Sequence, residues 1–302
     1  MPELPEVESV LRGLSAAQVD APLVKIWRSQ YNLRIGQDWS RKLEKLHLLR
    51  HCIPGPIERR GKYLLWKMLM DRSSVLMESH RQLKTESNAS EFGLVIHLGM
   101  SGQCEIVRTQ ALLRSHTHLR LQFADERELR FVDPRRFGGL RAGTWQDIQS
   151  FPPVANLGVE PLSRQFTAKY LHWRAGKSQR ILRDILLDQK VIAGVGNIYA
   201  IEALFVAELH PLVPSNRLCL DDWHRLTSAI RRVLRKGIRN GGTTLKDFRD
   251  VHGAKGKNQE KLLAYGRAGL KCSRCGAILE SFSQGGRSGA FCPKHQRFPA
   301  TI

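Results

Sequence analysis

Three cysteines and a histidine near the end of the chain constrain it most, in the spacing Cys272-x2-Cys275-x16-Cys292-x2-His295. Two short-spaced ligand pairs separated by a dozen or more residues predict a tetrahedral zinc site, each pair on its own tight turn. Four protein ligands leave no open coordination position, so the one Zn2+ is structural. Its binding supplies on the order of 10–16 kcal/mol, enough to fold a unit too small to rely on its own core. Cys52, Cys104 and Cys219 are scattered instead, and read as reduced, packed residues in a chain without an export signal.

Residues 251–302 hold nine Lys/Arg and two Glu, so the zinc unit doubles as a phosphate-binding surface. The imbalance runs through the whole chain: 48 Lys and Arg against 28 Asp and Glu give a formal net charge of +20. Such a balance calls for a polyanion, either nucleic acid or an anionic membrane. No apolar run reaches about 18 residues, no secretory leader pattern opens the chain and no basic amphipathic helix concentrates the charge. A nucleic-acid partner, no membrane and a cytoplasmic location are therefore expected.

A length of 302 residues suggests two domains, each burying its own core. Leu4, Val7, Leu11 and Leu14 recur at helical spacing, predicting a helix almost at the terminus. Short strands separated by turn signals follow, at Leu23–Trp27, Leu43–Leu49, Tyr63–Met68, Gly93–His97, Gln103–Val107, Leu119–Phe123 and Glu128–Phe131. Strands of that length and spacing predict a β-sandwich or barrel. The polar stretch between Leu69 and Phe92 reads as an inserted mobile surface loop. Thr144–Leu162, with Pro152, Pro153 and Pro161, reads as a linker. Beyond it Ser163–Gly176, Arg180–Gln189, Gly196–Leu209 and Leu220–Asn240 carry helical periodicity, and Asn240-Gly241-Gly242 stops the last. The fold class is α+β and multidomain.

The opening Met1-Pro2-Glu3-Leu4-Pro5-Glu6-Val7-Glu8 supports two readings. Proline at the start and acids in the first turn are ordinary helix-start chemistry. The second reading begins when Met1 is removed, leaving Pro2 as a secondary amine able to attack an aldehyde-like carbon and form an iminium. At pH 7 roughly 0.04% of a lysine amine and roughly 10% of an ordinary α-amine are neutral; proline is more basic than that average but keeps an advantage. Glu3 and Glu6 then become proton carriers. Further along, Gly194-Val195-Gly196-Asn197 sits between two helices, where exposed N–H groups make a phosphate seat.

The opening resembles the mature amino terminus of the bacterial formamidopyrimidine-DNA glycosylase family, in its oxidised-purine branch; the endonuclease VIII branch usually has glycine at or beside Leu4. The resemblance continues in order through Arg59-Arg60-Gly61-Lys62-Tyr63, His97-Leu98-Gly99-Met100-Ser101-Gly102, Asp133-Pro134-Arg135-Arg136-Phe137-Gly138, Gly194–Ala200, Asn240–Phe248 and Tyr265-Gly266-Arg267. It implies an N-terminal catalytic β-sandwich domain (1–143), a linker (144–162), a helix–two-turn–helix domain (163–250) and a lesion-loop and zinc-finger region (251–302).

It also implies a bifunctional DNA glycosylase and AP lyase of base excision repair, acting on 8-oxoguanine and formamidopyrimidines in damaged duplex DNA, as a monomer associated with the bacterial nucleoid. Pro2 is then the nucleophile, Glu3 the proton shuttle, Lys62 and Arg287 further catalytic residues, and Glu6 a support for the terminus. Met100, Arg135 and Phe137 fill the duplex gap left by the extruded nucleotide. His97 and Asn197 contact phosphate, and Tyr265 belongs to the DNA-binding set. Three departures stand out: His295 replaces a fourth cysteine, residues near Gly289 and Ser281 lack the family's usual threonine and lysine, and Val251–Gln259 departs from its lesion-loop pattern. An oxidised-pyrimidine glycosylase and a non-catalytic zinc-dependent DNA-damage-binding protein are the alternatives; the second gives no reason for Pro2, Glu3 and Lys62 to co-occur.

Overall fold

The computed structural model describes residues 1–31, 33, 43–71 and 91–296. They divide into two compact units.

One unit comprises Met1–Pro2, Glu6–Ala155 and Thr244–Gly256. Most of helix α1 (Leu4–Ala16) opens it. Eight strands follow: β1 (Leu23–Arg28), β2 (Cys52–Arg60), β3 (Tyr63–Met70), β4 (Glu91–His97), β5 (Gln103–Arg108), β6 (Thr117–Phe123), β7 (Arg127–Val132) and β8 (Gly139–Thr144). They form two antiparallel sheets, ordered β1-β6-β7-β5 and β2-β3-β4-β8. One core takes Leu23, Leu121 and Phe131 from the first sheet, Leu64, Trp66 and Leu94 from the second, and Val7, Val10 and Leu14 from α1. The expected sandwich is present.

One strand reading is corrected, and two strands and two short helices stand where none was expected. Leu43–Leu49 is a 3-10 helix, not a strand: its leucines recur every three residues, and Leu46 and Leu49 are both buried. β2 has no counterpart among the predicted strands, because Pro54 and Pro56 argue against one. It is an edge strand, where a missing N–H is tolerated, and its pairing slips between Pro54 and Ile57. β8 was hidden by its two glycines. The segment read as a linker carries α2 (Trp145–Gln149) and α3 (Pro152–Ala155). A Thr144–Asp147 capping box starts α2, and Ile148, Phe151 and Val154 cover Leu65 and Val95. Most of the stretch read as an insertion (72–90) lies outside the described residues, between strands that pair Leu69 with Glu91.

The other unit comprises Glu3–Pro5, Asn156–Thr243 and the chain from Lys257 onward. Its helices are α4 (Ala168–Ala175), α5 (Leu182–Leu187), α6 (Asn197–Ala207) and α7 (Leu220–Arg239). Leu171, Leu186, Leu204, Trp223 and Ile230 share its core with Leu4. Between α5 and α6 the chain turns at residues 189–191 and bends again at 193–194. A hairpin of β9 (Glu280–Gln284) and β10 (Arg287–Phe291) completes the unit, over a small cluster that includes Ile201, Phe205, Leu279 and Cys292. No helix among the described residues is long and apolar enough to cross a membrane.

Candidate functional site

In the sandwich unit, β2 and β3 are joined by the two-residue turn Gly61-Lys62, with Arg60 opposite Tyr63. Gly61 has φ +59°, the left-handed first position that a II′ hairpin turn demands of glycine. Arg59 fixes the turn, donating from Nη1 to the Gly61 carbonyl (3.1 Å) and from Nε to Glu8 of α1 (3.0 Å). Lys62 is thereby buried. Tyr63 pairs with His97 across β3 and β4, and their rings lie 4.8 Å apart. Burial first, and the Lys62 charge second, push the His97 pKa down to about 4. Its Nδ1 accepts the Gly99 N–H at 3.2 Å, which leaves the ring proton of the neutral imidazole on Nε2.

Two loops of the same unit carry the large side chains. A Cβ on Gly99 would come within 2.2 Å of the Phe137 backbone, so glycine lets the 98–102 loop touch the 133–138 loop. Asp133, fully buried, clamps them. Its Oδ1 accepts from Ser101 Oγ and its Oδ2 from the Gly138 N–H, both at 2.6 Å, and Ser101 Oγ accepts the Arg135 N–H at 3.2 Å. Met100 and Arg135 are left exposed. The Arg135 guanidinium lies 5.0 Å from the Phe137 ring centre. Pro2 and Glu6, also of this unit, are both buried.

In the helical unit, α6 begins at Gly196, which has no side chain to cap the helix. Glu3 caps it instead. Its carboxylate accepts the N–H groups of Gly196 (2.8 Å), Ile198 (2.9 Å) and Tyr199 (3.3 Å), and Leu4 donates its N–H to the Gly194 carbonyl at 3.0 Å. A Cβ on Gly196 would fall 2.3 Å from the Glu3 carboxyl carbon, so only glycine admits this approach. Asn197 donates from Nδ2 to the Ser288 carbonyl at 2.8 Å, and its side chain also interacts with Tyr265. Burial, with the Glu3 charge behind it, raises the pKa of Tyr265.

Tyr265 is positioned by Glu202, whose functional part sequence reasoning missed. This buried carboxylate, mid-way along α6, accepts the N–H groups of Leu263, Ala264 and Tyr265 at 2.8–3.1 Å. Burial pushes its pKa up against those donors. The one available signal was that Glu202 is the only charged residue in α6. Arg183 was missed as well. Buried beneath the β9–β10 turn, it donates to the carbonyls of Gln284 (2.8 Å) and Arg287 (3.2 Å). Arg287 follows Gly285 and Gly286, both at positive φ, and its side chain is exposed.

Cys272, Cys275, Cys292 and His295 bring their ligand atoms within 4.8 Å of one another. Cys275 Sγ lies 3.4 Å from Cys292 Sγ, and His295 Nδ1 lies 3.7 Å from Cys272 Sγ and 4.0 Å from Cys275 Sγ. Arms of about 2.0–2.3 Å to a tetrahedral zinc ion give ligand separations of this size. The Arg274 N–H points at Cys272 Sγ from 3.4 Å, which supports a thiolate. The departure at His295 thus preserves the tetrahedron, and the chain has the site for one structural zinc ion.

Three family models match. Residues 1–140 match the formamidopyrimidine-DNA glycosylase N-terminal domain, 157–249 its H2TH domain and 269–294 a zinc finger found in FPG and IleRS. The chain is 38% identical over 298 residues to a formamidopyrimidine-DNA glycosylase of Xanthomonas oryzae pv. oryzae, covering 98% of this chain and 100% of that protein. Among solved structures it is similar to Lactococcus lactis Fpg in complex with DNA containing an abasic site (TM-score 0.81, 31% identity, 98% and 99% of the two chains). It is also similar to MutM in complex with DNA containing carbocyclic 8-oxo-G (TM-score 0.81, 30% identity, 98% and 100%).

Proposed function

The chain belongs to the formamidopyrimidine-DNA glycosylase family, and on that premise we propose that it excises oxidised purines from duplex DNA and then cleaves the strand. It is a zinc-finger DNA glycosylase of base excision repair. The lesions proposed are 8-oxoguanine and formamidopyrimidines, with damaged duplex DNA as partner and the monomer as the acting form.

The observation that carries the reading is the carboxylate of Glu3, fixed by three backbone N–H groups one residue from Pro2. With Met1 removed, the Pro2 nitrogen attacks C1′ of the damaged nucleotide. The base departs with the glycosidic electron pair, and Glu3 protonates the sugar as its ring opens to the iminium. Loss of a C2′ proton then expels the 3′ phosphate, and a second elimination expels the 5′ phosphate. Glu6 supports the terminus, and Lys62 stabilises charge near the damaged nucleotide. A neutral His97 contacts phosphate through its Nε2 proton. Met100, Arg135 and Phe137, presented by the Asp133-clamped loops, fill the gap left by the flipped nucleotide. Asn197, Tyr265 and Arg287 hold the strand at the lesion. The zinc ion holds the 269–295 segment folded and supplies no chemistry of its own.

Borohydride trapping on an 8-oxoguanine duplex tests the lyase. A covalent adduct is expected with the processed enzyme, and far less with Pro2→Gly. No adduct with the wild type, or equal trapping by a form retaining Met1, overturns the N-terminal mechanism. The same assay on a thymine-glycol duplex ranks purine against pyrimidine lesions.

A further inference from the structure

The helical unit contains a concavity of about 450 Å³ that borders the proposed site through Tyr199 and Glu202, while its charged rim takes no part in the excision chemistry. Its rim is cationic. Arg232, Lys236 and Arg239 come from α7, and Lys261 and Arg274 from the segments beyond it. The three α7 residues stand at i, i+4 and i+7, one stripe of the helix, running about 10 Å along its axis. The floor is apolar, with Val206, Val233 and Leu262.

The acids beside this rim do not balance its charge. Glu202 lines the concavity with its two oxygens turned to the N–H groups of Leu263, Ala264 and Tyr265. Its single charge acts on Lys236 without forming an ion pair and offsets only part of the rim. Glu208 is paired with Arg274. Lys236 donates to the Lys261 carbonyl at 2.6 Å, which directs its ammonium but does not neutralise it. Among the described residues, Arg232, Lys236, Arg239 and Lys261 have no ion-pair partner. Four unpaired cations around a concave, low-dielectric wall repel one another and focus a positive potential into the space they enclose. A ligand with several negative charges relieves that repulsion.

We propose that this concavity is a binding site for clustered phosphate groups. Arginine forks match phosphate oxygens bidentately, and lysines supply point charges between them. The volume lies within the range of about 300–1,000 Å³ typical of small-ligand pockets. A free polyphosphate-bearing compound and a stretch of DNA backbone both present this chemistry.

The probe is inorganic tripolyphosphate, titrated calorimetrically into the zinc-loaded full chain. One saturable site is expected, weakened at least about tenfold in Arg232→Ser/Lys236→Gln and in Arg239→Ser/Lys261→Gln. The charge-matched control Arg164→Ser/Lys169→Gln on and before α4 binds as the wild type does. No saturable site, or an equal loss in the control, overturns the proposal. Displacement by oligoglutamate as readily as by tripolyphosphate overturns the phosphate assignment in favour of an acidic peptide. Undamaged duplex then distinguishes the two phosphate sources. Each lost backbone contact lowers the slope of log K against log salt by about 0.9, so a slope reduced by one to two units in the pocket variants assigns the site to DNA. An unchanged slope with tripolyphosphate binding lost assigns it to a free compound. Trapping on damaged duplex is a separate readout, so either proposal can fail alone.

Discussion

The β-sandwich and the zinc hairpin solve the same problem with different means. The sandwich buries a continuous layer of leucine, phenylalanine, valine and tryptophan between two four-stranded sheets. The hairpin has two five-residue strands and a small cluster centred on Phe205, Leu279 and Cys292. Most of its β9 residues are exposed, so burial alone cannot fix it. Two groups replace the missing core: the four zinc ligands at its base and the buried Arg183 beneath its turn. The lesson concerns placement. The sandwich can present loops such as 98–102 and 133–138 because a large core stands behind them, whereas the hairpin presents Arg287 only while metal and guanidinium hold it.

The largest effect that would break this contrast comes from the metal. Chelation, or Cys275→Ser, removes on the order of 10–16 kcal/mol from the hairpin. DNA affinity should collapse together with zinc content, while near-ultraviolet dichroism of the sandwich tryptophans persists. Loss of both signals together would show that the two regions do not fold independently. Phe131→Ala attacks the other side. A core truncation of this kind costs about 3–5 kcal/mol, seen as a lower urea midpoint with one zinc still bound per chain.

Acid challenges both regions, and His97 separates them. Its pKa falls from 6.5 in the unfolded chain to about 4 when folded, because burial favours the neutral ring. The stability it contributes is complete above pH 6.5 and is lost as pH falls from there towards 4. The full span is worth no more than about 3 kcal/mol. His97→Gln should flatten that part of the pH–stability curve measured by urea unfolding of the sandwich; an unchanged slope would assign the acid sensitivity to other groups. Smallest in stability is Asp133→Asn, which leaves Ser101 Oγ or the Gly138 N–H poorly paired at about 1–3 kcal/mol. Its sharper readout is excision, which should fall far more than stability does if the clamp serves to aim Met100 and Arg135. Equal losses in both would reduce Asp133 to a packing residue.

Much of this was legible in the chain because the signals are local. Ligand spacing in Cys272–His295 needs only a few residues of context on each side. The strands from Tyr63, Gln103 and Leu119 announce themselves by their apolar content, and α7 by its period. Reading failed where a rule depended on position within a sheet not yet built. Pro54 and Pro56 forbid a central strand but not an edge strand. The leucines of 43–49 fit more than one period, and packing chose the 3-10 turn. Among the site residues, Glu202 and Arg183 were invisible as functional groups because their partners lie 61 to 104 residues away.

By itself, then, the sequence determined the zinc tetrahedron, the basic character of the surface, the order of sandwich and helices, and, for the proposed excision, the chemistry offered at Pro2 and Glu3. Tertiary structure alone decided where that chemistry is held. Glu3 meets the start of α6 across 193 to 196 residues of chain, and Asp133 meets Ser101 across 32. Periodicity reports which face of an element is buried; it carries no record of which distant N–H a buried carboxylate will find. That pairing is enforced only on folding, when leaving a buried polar group unpaired costs about 1–3 kcal/mol.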